Sequence, residues 1–403
     1  MNFFKHLLLA VTSFSLANLV SAQNWEDAYD TPGATWPSVA CSADGTKLVG
    51  VTTGNSPYDF PPFGPGPIYT STNSGATWLE VSNSPMDQWT AVVSSADGAT
   101  LTAITDTGNI YTSSDSGMTW KVTNAPSAFL VSLACSADGR KLIAGAWDDY
   151  VGSQSWLYIS TDSGATWKVA KGALTGYWES VASAADGSRL VAANVHAGEI
   201  YTSTNSGTTW KVATNAPSGY CQALASSSDG TKLVAAISGG FIYLSTNSGA
   251  TWQQSTAPVA QWQSVASSAD GTRLAAVVAY GGPVFTSTNS GATWTLNDAP
   301  NESWQSVASS ADGNELAAVS FQGSVYIGHT TPTPNLNITR SHNNVMLTWG
   351  VPSIDFVVQQ NSDLTKTNWT TVGGRPFLNL NNLQYQFAIP SSTGNTFYRL
   401  KTP

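Results

Sequence analysis

Charge is scarce in this sequence. Asp, Glu, Lys and Arg make up only 10% of its 403 residues. The few basic residues form no patch interleaved with aromatics, so nucleic acid is not expected as a partner. There are three cysteines, Cys41, Cys135 and Cys221. They form no Cys-x-x-Cys, and the four histidines form no metal-spaced tract, so neither a metal nor a cofactor is expected. An odd cysteine count in an exported chain leaves at least one thiol unpaired. Cys41 and Cys135 occupy a repeat position that holds Ser94, Ser183, Ser226, Ser267 or Ser309 elsewhere, so they read as small buried residues. After residue 22 no apolar run is long enough to cross a bilayer.

Residues 1–22 stand apart. Lys5 and His6 precede apolar runs at 7–11 and 14–20, and Val20-Ser21-Ala22 supplies small residues for cleavage. That order predicts a secretory signal. A membrane anchor is the alternative, but Thr12, Ser13, Ser15 and Asn18 interrupt a run already short for a span. A secreted chain without a membrane segment is therefore expected, extracellular or periplasmic. Cleavage would remove Lys5, leaving 15 basic residues against 25 acidic. Nine of the acids fall in repeated turns, so the acidity is largely a product of turn chemistry.

Repetition dominates the rest. Ala-Asp-Gly or Ser-Asp-Gly occurs seven times, with its acid at Asp44, Asp97, Asp138, Asp186, Asp229, Asp270 and Asp312. A period near 42 residues with four short β runs per copy predicts propeller blades. In the sixth copy, strand A covers 264–268, strand B 274–278 and strand C 284–287, with strand D starting near Trp294. Strand A is rich in Ala and Ser, as an innermost strand must be where blades converge. Between strands C and D stands Ser-Thr-Asn-Ser-Gly-Ala-Thr-Trp, at 71–78, 245–252 and 287–294, with variants at 113–120, 160–167 and 203–210. The seventh copy, 304–327, lacks this segment. Trp25 precedes Trp36 much as Trp294 precedes Trp304, so the N-terminal segment is expected to supply the outer strand of blade seven.

The eight-residue segment resembles the Asp-box, or BNR repeat, of sialidase-like propellers, whose pattern is Ser-x-Asp-x-Gly-x-Thr-Trp. Asp115 and Asp162 match its acid, while Asn73, Asn205, Asn247 and Asn289 replace it. Either side chain can form the same Asx-turn, so the acid serves geometry. Calcium at Asp115 or Asp162 is a weak alternative, because one carboxylate per loop is thin coordination. The repeats also look like those of the photosystem II assembly-factor family. The resemblance covers about three quarters of the chain and implies an all-β fold, a seven-bladed propeller at 23–330. Residues 331–334 read as a stiff linker. Residues 335–403 alternate as strands at 336–339, 345–349, 356–360, 383–389 and 397–400. They are similar to a small fibronectin III-like β-sandwich around Trp349, and to modules appended to secreted bacterial proteins.

Candidate chemistry lies where copies depart from the repeat. Residues 54–67 and 147–156 are insertions between strands B and C, on the face shared with the D–A loops. They offer Tyr58, Phe60, Phe63, Trp147, Tyr150 and Trp156 to a ligand, joined by His196, which lies near Glu199. Five tryptophans at the starts of strand A, Trp36, Trp89, Trp178, Trp262 and Trp304, would either stack on sugar rings at the channel mouth or pack between blades. A residue held constant by the repeat serves the repeat. A sialidase would grip its substrate carboxylate with three arginines. Here Arg140, Arg189 and Arg273 belong to the A–B face, and Arg340, Arg375 and Arg399 to the C-terminal module, so sialidase activity is not expected. Asp-box hydrolases of neutral polysaccharides use paired carboxylates. Candidates on the loop face are Asp59, Asp106, Asp148 and Asp149, with Asp87, Glu179, Asp298 and Glu302 nearby. The sequence therefore supports a monomeric propeller that binds a glycan or protein ligand, with a glycoside hydrolase as the alternative.

Overall fold

The computed structural model describes residues 24–401 apart from 29–30, 32–33, 56–62, 125–127, 148–154, 173–174, 322, 330–335, 342–343, 351–356, 363–368, 375, 380–383 and 391–395. No helix occurs among the described residues. Seven four-stranded antiparallel sheets follow one another as propeller blades. Blade six consists of strands A–D at Trp262–Ser267, Leu274–Val278, Val284–Ser287 and Thr295–Leu296. Strand A starts one blade each at Thr35–Cys41, Trp89–Ser94, Leu130–Cys135, Trp178–Ser183, Cys221–Ser226, Trp262–Ser267 and Trp304–Ser309.

The ring is closed at its axis by backbone alone. The residue before each turn Asp donates its N–H to the matching carbonyl of the next blade. The series runs Ala43, Ala96, Ala137, Ala185, Ser228, Ala269, Ala311 and back to Ala43, with every bond at 2.7–2.8 Å. Small side chains are required here, because seven strands meet around one axis.

In five blades a strand-A tryptophan packs against the preceding blade. Trp36, Trp89, Trp178, Trp262 and Trp304 are all buried. Each meets an aromatic of its own strand C at 5.2–5.5 Å between centroids: Tyr69, Tyr111, Tyr201, Phe285 and Tyr326. The indole N–H of Trp89, Trp262 and Trp304 donates to Gly66, Gly240 and Gly282 of the preceding blade. These rings are core, and none stacks at the channel mouth. Cations fasten the blades on the A–B side. Lys47, Lys141 and Lys232 donate to the carbonyls of Asp97, Asp186 and Asp270 in the following blade, and Arg189 does the same to Asp229.

Blade seven is completed from the N-terminus. Asn24–Asp27 pairs antiparallel with Val325–His329. Trp25 sits 6.5 Å from Trp304, a place Trp78 takes beside Trp36 in blade one. At this seam the fastening changes. Glu315 stands where five of the other blades carry Lys or Arg and blade two carries Thr100; it is 2% exposed, and accepts from His329 Nδ1 at 2.9 Å. Burial raises the Glu315 carboxyl, and the hydrogen bond that His329 donates to Glu315 raises His329.

The structure departs from the sequence reading in several places. Strand boundaries in the blade-one insertion differ, because Leu48–Asn55 and Phe63–Ser71 extend into it and pair as far as Asn55 with Phe63. Cys41 and Cys135 border the axial channel, since the serine position they replace faces the axis. Beyond the propeller, one sheet holds Asn337–Ser341, Asn344–Gly350, Gln384–Pro390 and Phe377–Asn379. A three-stranded sheet holds Thr370–Thr371, Val357–Asn361 and Phe397–Lys401. The two meet around Leu347, Trp349, Val358 and Ile389. Thr370–Thr371 and Phe377–Asn379 had no counterpart among the expected strands, being too short for a visible alternation. Residues 1–22, the expected signal, lie outside the described residues.

Two measurements test the seam. Deleting residues 24–28 removes the outer strand of blade seven and Trp25. Equilibrium denaturation should show a loss of at least about 3 kcal/mol, the scale of losing a packed Trp, and an unchanged midpoint contradicts the pairing. The second concerns pH. His329 is raised in the folded state, so its contribution is complete below its ordinary value and is lost as pH rises through the raised one. Glu315, also raised, acts in the same direction. The melting temperature should therefore decline from about pH 6 to pH 8, and Glu315→Gln should flatten that slope relative to wild type.

Candidate functional site

The face carrying the B–C and D–A loops is stitched by a repeated contact. The residue just before the strand-A tryptophan position offers its carbonyl to a B–C loop N–H. Gln88 receives Asp106, Phe129 receives Trp147, Tyr177 receives Val195, Tyr220 receives Ser238, Gln261 receives Ala279 and Ser303 receives Phe321, all at 2.8–3.1 Å. The backbone of this face is therefore rigid, while the side chain at the stitched position is free to vary. In blades three, four and five it is aromatic: Phe129, Tyr177 and Tyr220.

The aromatics cluster further. Trp147 meets Tyr177 edge-on at 6.1 Å, and Tyr177 meets His196 at 5.2 Å. Three loops of two adjacent blades thus converge. Among the described residues, the propeller's exposed Phe, Trp and Tyr side chains are Phe129, Trp147, Tyr220, Tyr280 and Phe321, and all five lie on D–A or B–C loops. Tyr280 is 87% exposed and holds a left-handed φ of 56° at its hairpin tip, a costly state for a bulky residue.

Each strand A also bulges at its second residue. In blade four the register jumps between Trp178 and Ser180, leaving Glu179 as the extra residue. Gln222, Gln263 and Gln305 take the same place in blades five to seven. Bulges aim a side chain out of the ladder. Glu179 accepts from Gln222 Nε2 at 3.0 Å and from the Tyr220 hydroxyl. Burial raises its carboxyl in spite of these bonds.

An acidic pair, Asp87 and Asp106, sits at blade two. Asp87 accepts from Asn109 at 3.1 Å and from the Tyr111 hydroxyl at 2.9 Å. Asp106 Oδ1 is buried without a hydrogen-bond partner. Burial, then the charge of Asp87, raises the Asp106 carboxyl.

The sequence candidates fare differently. Trp147 and His196 are brought together through Tyr177. Trp156 is half-buried against the blade-three core with Ile104 and Leu130, which leaves little of it for a ligand. Phe63 lies in strand C of blade one. Tyr58, Asp59, Phe60, Asp148, Asp149 and Tyr150 lie outside the described residues. Glu199 accepts from the Tyr201 hydroxyl at 2.7 Å, so it serves its own strand. Phe129 and Tyr177 were missed. Their signal was present: one repeat position turns from Gln or Ser to aromatic in three successive blades. Asp115 spends both oxygens inside its turn, on Ser113 and Thr119, as Asp162 does on Ser160 and Thr166.

The axial channel holds a cavity of about 350 Å³ bordered by Ser38, Ser94, Ser183 and Ser306. At its A–B mouth, Leu378 and Tyr385 of the C-terminal sheets pack on Ala43 and Ala96.

Comparisons with known proteins agree with this architecture. The Sortilin-Vps10 family model (sortilin, neurotensin receptor 3) matches residues 66–198. No curated protein matches the chain. Among solved structures, YCF48 bound to D1 peptide superposes with a TM-score of 0.57 at 15% identity, covering 76% of this chain and 97% of that one. YCF48 from Cyanidioschyzon merolae gives 0.55 at 16%, covering 76% and 98%. The GH74 xyloglucanase from Xanthomonas campestris gives 0.58 at 15%, over 81% of this chain and 59% of that one. This chain shares the propeller fold with all three. At these identities the likeness speaks to fold alone.

The cysteines supply a check on the described interior. All three are free, and burial pushes the thiols of Cys135 and Cys221 up to about 12. At pH 8 the folded chain should react with iodoacetamide hundreds of times more slowly than a free cysteine, on the order of the lost thiolate fraction. Rapid labelling of Cys221 without denaturant contradicts its burial.

Proposed function

We propose that this chain is a secreted, monomeric propeller that binds a glycan or protein ligand on its B–C/D–A loop face, with the C-terminal sheets as an accessory module. The observation that carries this reading is the one-sided distribution of exposed aromatics, centred on Trp147, Tyr177 and His196. Flat rings on a rigid backbone are cheap to order and bury large area on contact. Solved relatives of the fold include one bound to a peptide and one named as a xyloglucanase, so the architecture accommodates either ligand class. Sialidase chemistry is disfavoured, because Arg189 is committed to the carbonyl of Asp229 on the opposite face.

A hydrolase of neutral polysaccharide is the second reading. It draws on Asp106 and Asp87, two neighbouring carboxyls in unlike settings, one raised by burial and one held by Asn109 and Tyr111.

Glycan and peptide arrays probed with the chain lacking residues 1–22 separate these readings. Binding should weaken about tenfold or more in Trp147→Ala and in Tyr177→Ala, the range of an aromatic hot spot. Affinity kept by both variants would sink the binding site. Reducing ends released from a polysaccharide, and lost in Asp106→Asn, would establish the hydrolase instead.

A further inference from the structure

The same face has a charge character that narrows the ligand. Among the described residues, its B–C loops, D–A loops and bulge positions carry Asp87, Asp106, Glu179, Asp298 and Glu302, and Glu199 opens strand C beside them. Against these six carboxylates stands one cation, Lys171. The other described Lys and Arg side chains of the propeller lie at the A–B turns or in strand D. Most of the six acids have structural work or sit at the rim. Glu179 differs, because a bulge turns it out of the ladder beside the aromatic arc.

We propose that the ligand is a basic polypeptide segment that sets a lysine or arginine side chain against the Glu179 carboxylate, flanked by the Tyr220 ring. This rests on the binding reading above. Three observations lead to it. Glu179 is partly withdrawn from water but uses only the hydrogen bonds from Gln222 and Tyr220, and an ionised carboxylate has about four acceptor sites. An ammonium or guanidinium group would fill the remainder and compensate the buried charge, which a neutral sugar hydroxyl does less well. Tyr220 exposes its ring beside that carboxylate, so a cation there also meets an aromatic face.

The third observation concerns extent. From Glu179 the same bulge position runs on through Gln222, Gln263 and Gln305, over four successive blades. Each primary amide both donates and accepts, which is what an extended peptide backbone needs. A small amine would use one end of this track and leave the rest idle. Phe129 and Trp147 lie on the opposite side of Glu179, available to an apolar side chain of the same segment.

The test is selection without a presumed sequence. A phage-displayed random dodecamer library is panned on the immobilised chain, and recovered peptides are resynthesised with a fluorescein label. Lys and Arg should be enriched. Affinity should fall with added salt, and should drop about tenfold or more in Glu179→Gln, with partial recovery in Glu179→Asp. The melting temperature of each variant checks that it folds. Enrichment without basic residues, or a Glu179→Gln variant within twofold of wild type, overturns the proposal. If non-basic peptides or neutral glycans bind and are lost in Tyr177→Ala, the cation inference fails while the binding site stands. If no ligand is recovered from library or arrays, both fail.

Discussion

Seven backbone hydrogen bonds around one axis are the constraint on which the rest of the structure depends. Each costs the chain a residue able to approach its neighbours closely, hence the Ala or Ser before every turn Asp. Strand A is the inner edge of every sheet, and the ring of bonds ties these edges together around the axis. It also means that the last blade must meet the first. The chain solves this by lending Asn24–Asp27 to blade seven, and the seam is the one junction where a buried Glu–His contact stands in for a cation. Breaking such a pair by removing His329 leaves Glu315 buried without its partner.

The repeated turns show that charge is incidental to them. In blade one, Asn73 Oδ1 accepts from the Thr77 N–H at 3.0 Å, and Asn73 Nδ2 donates to the Thr77 hydroxyl. In blade two, Asp115 Oδ1 accepts from the Thr119 N–H at 2.9 Å, and Asp115 Oδ2 accepts from the Thr119 hydroxyl. Only the rotation of the threonine hydroxyl differs. The turn is the same with amide or acid, as the sequence pattern implies. The serine and glycine that follow, such as Ser74 and Gly75, both take positive φ. Gly75 would collide with Ile327 if it bore a Cβ.

Such features were legible in the sequence because they recur. The period, the turn acids, the crowded strand A and the stand-in Trp25 all follow from comparing copies. The burial of Trp36 and its four equivalents followed as well, from the argument that a residue constant across blades serves the ring. What escaped lay outside the core positions or was relational. Phe129 and Tyr177 precede strand A, a place where no core requirement draws the eye. The contact of Tyr177 with both Trp147 and His196 joins three loops that lie tens of residues apart. The bulge that frees Glu179 has no residue signature, since Pro, Thr, Val, Glu and Gln all occupy that position. The partial burial of Trp156 was not legible, because the insertion reads as all loop, whereas its end packs against the blade core.

The charge of the loop face follows from what the other face requires. Blade-to-blade fastening at the A–B turns needs long donors that reach a neighbouring carbonyl, and Lys47, Lys141, Arg189 and Lys232 supply them. In a chain with so few charges, that demand uses much of its stock of cations. The turn acids beside them are neutralised locally by N–H and hydroxyl donors, as at Asp229 with Ser227 and Thr231. On the opposite face the indole N–H bonds to Gly66, Gly240 and Gly282 join blade to blade without cations. Its acids therefore stand with Lys171 alone among the described cations, next to rings that the core does not need. An aromatic, acidic surface is thus what remains once the ring has been built, and the chemistry it favours is recognition of a cation.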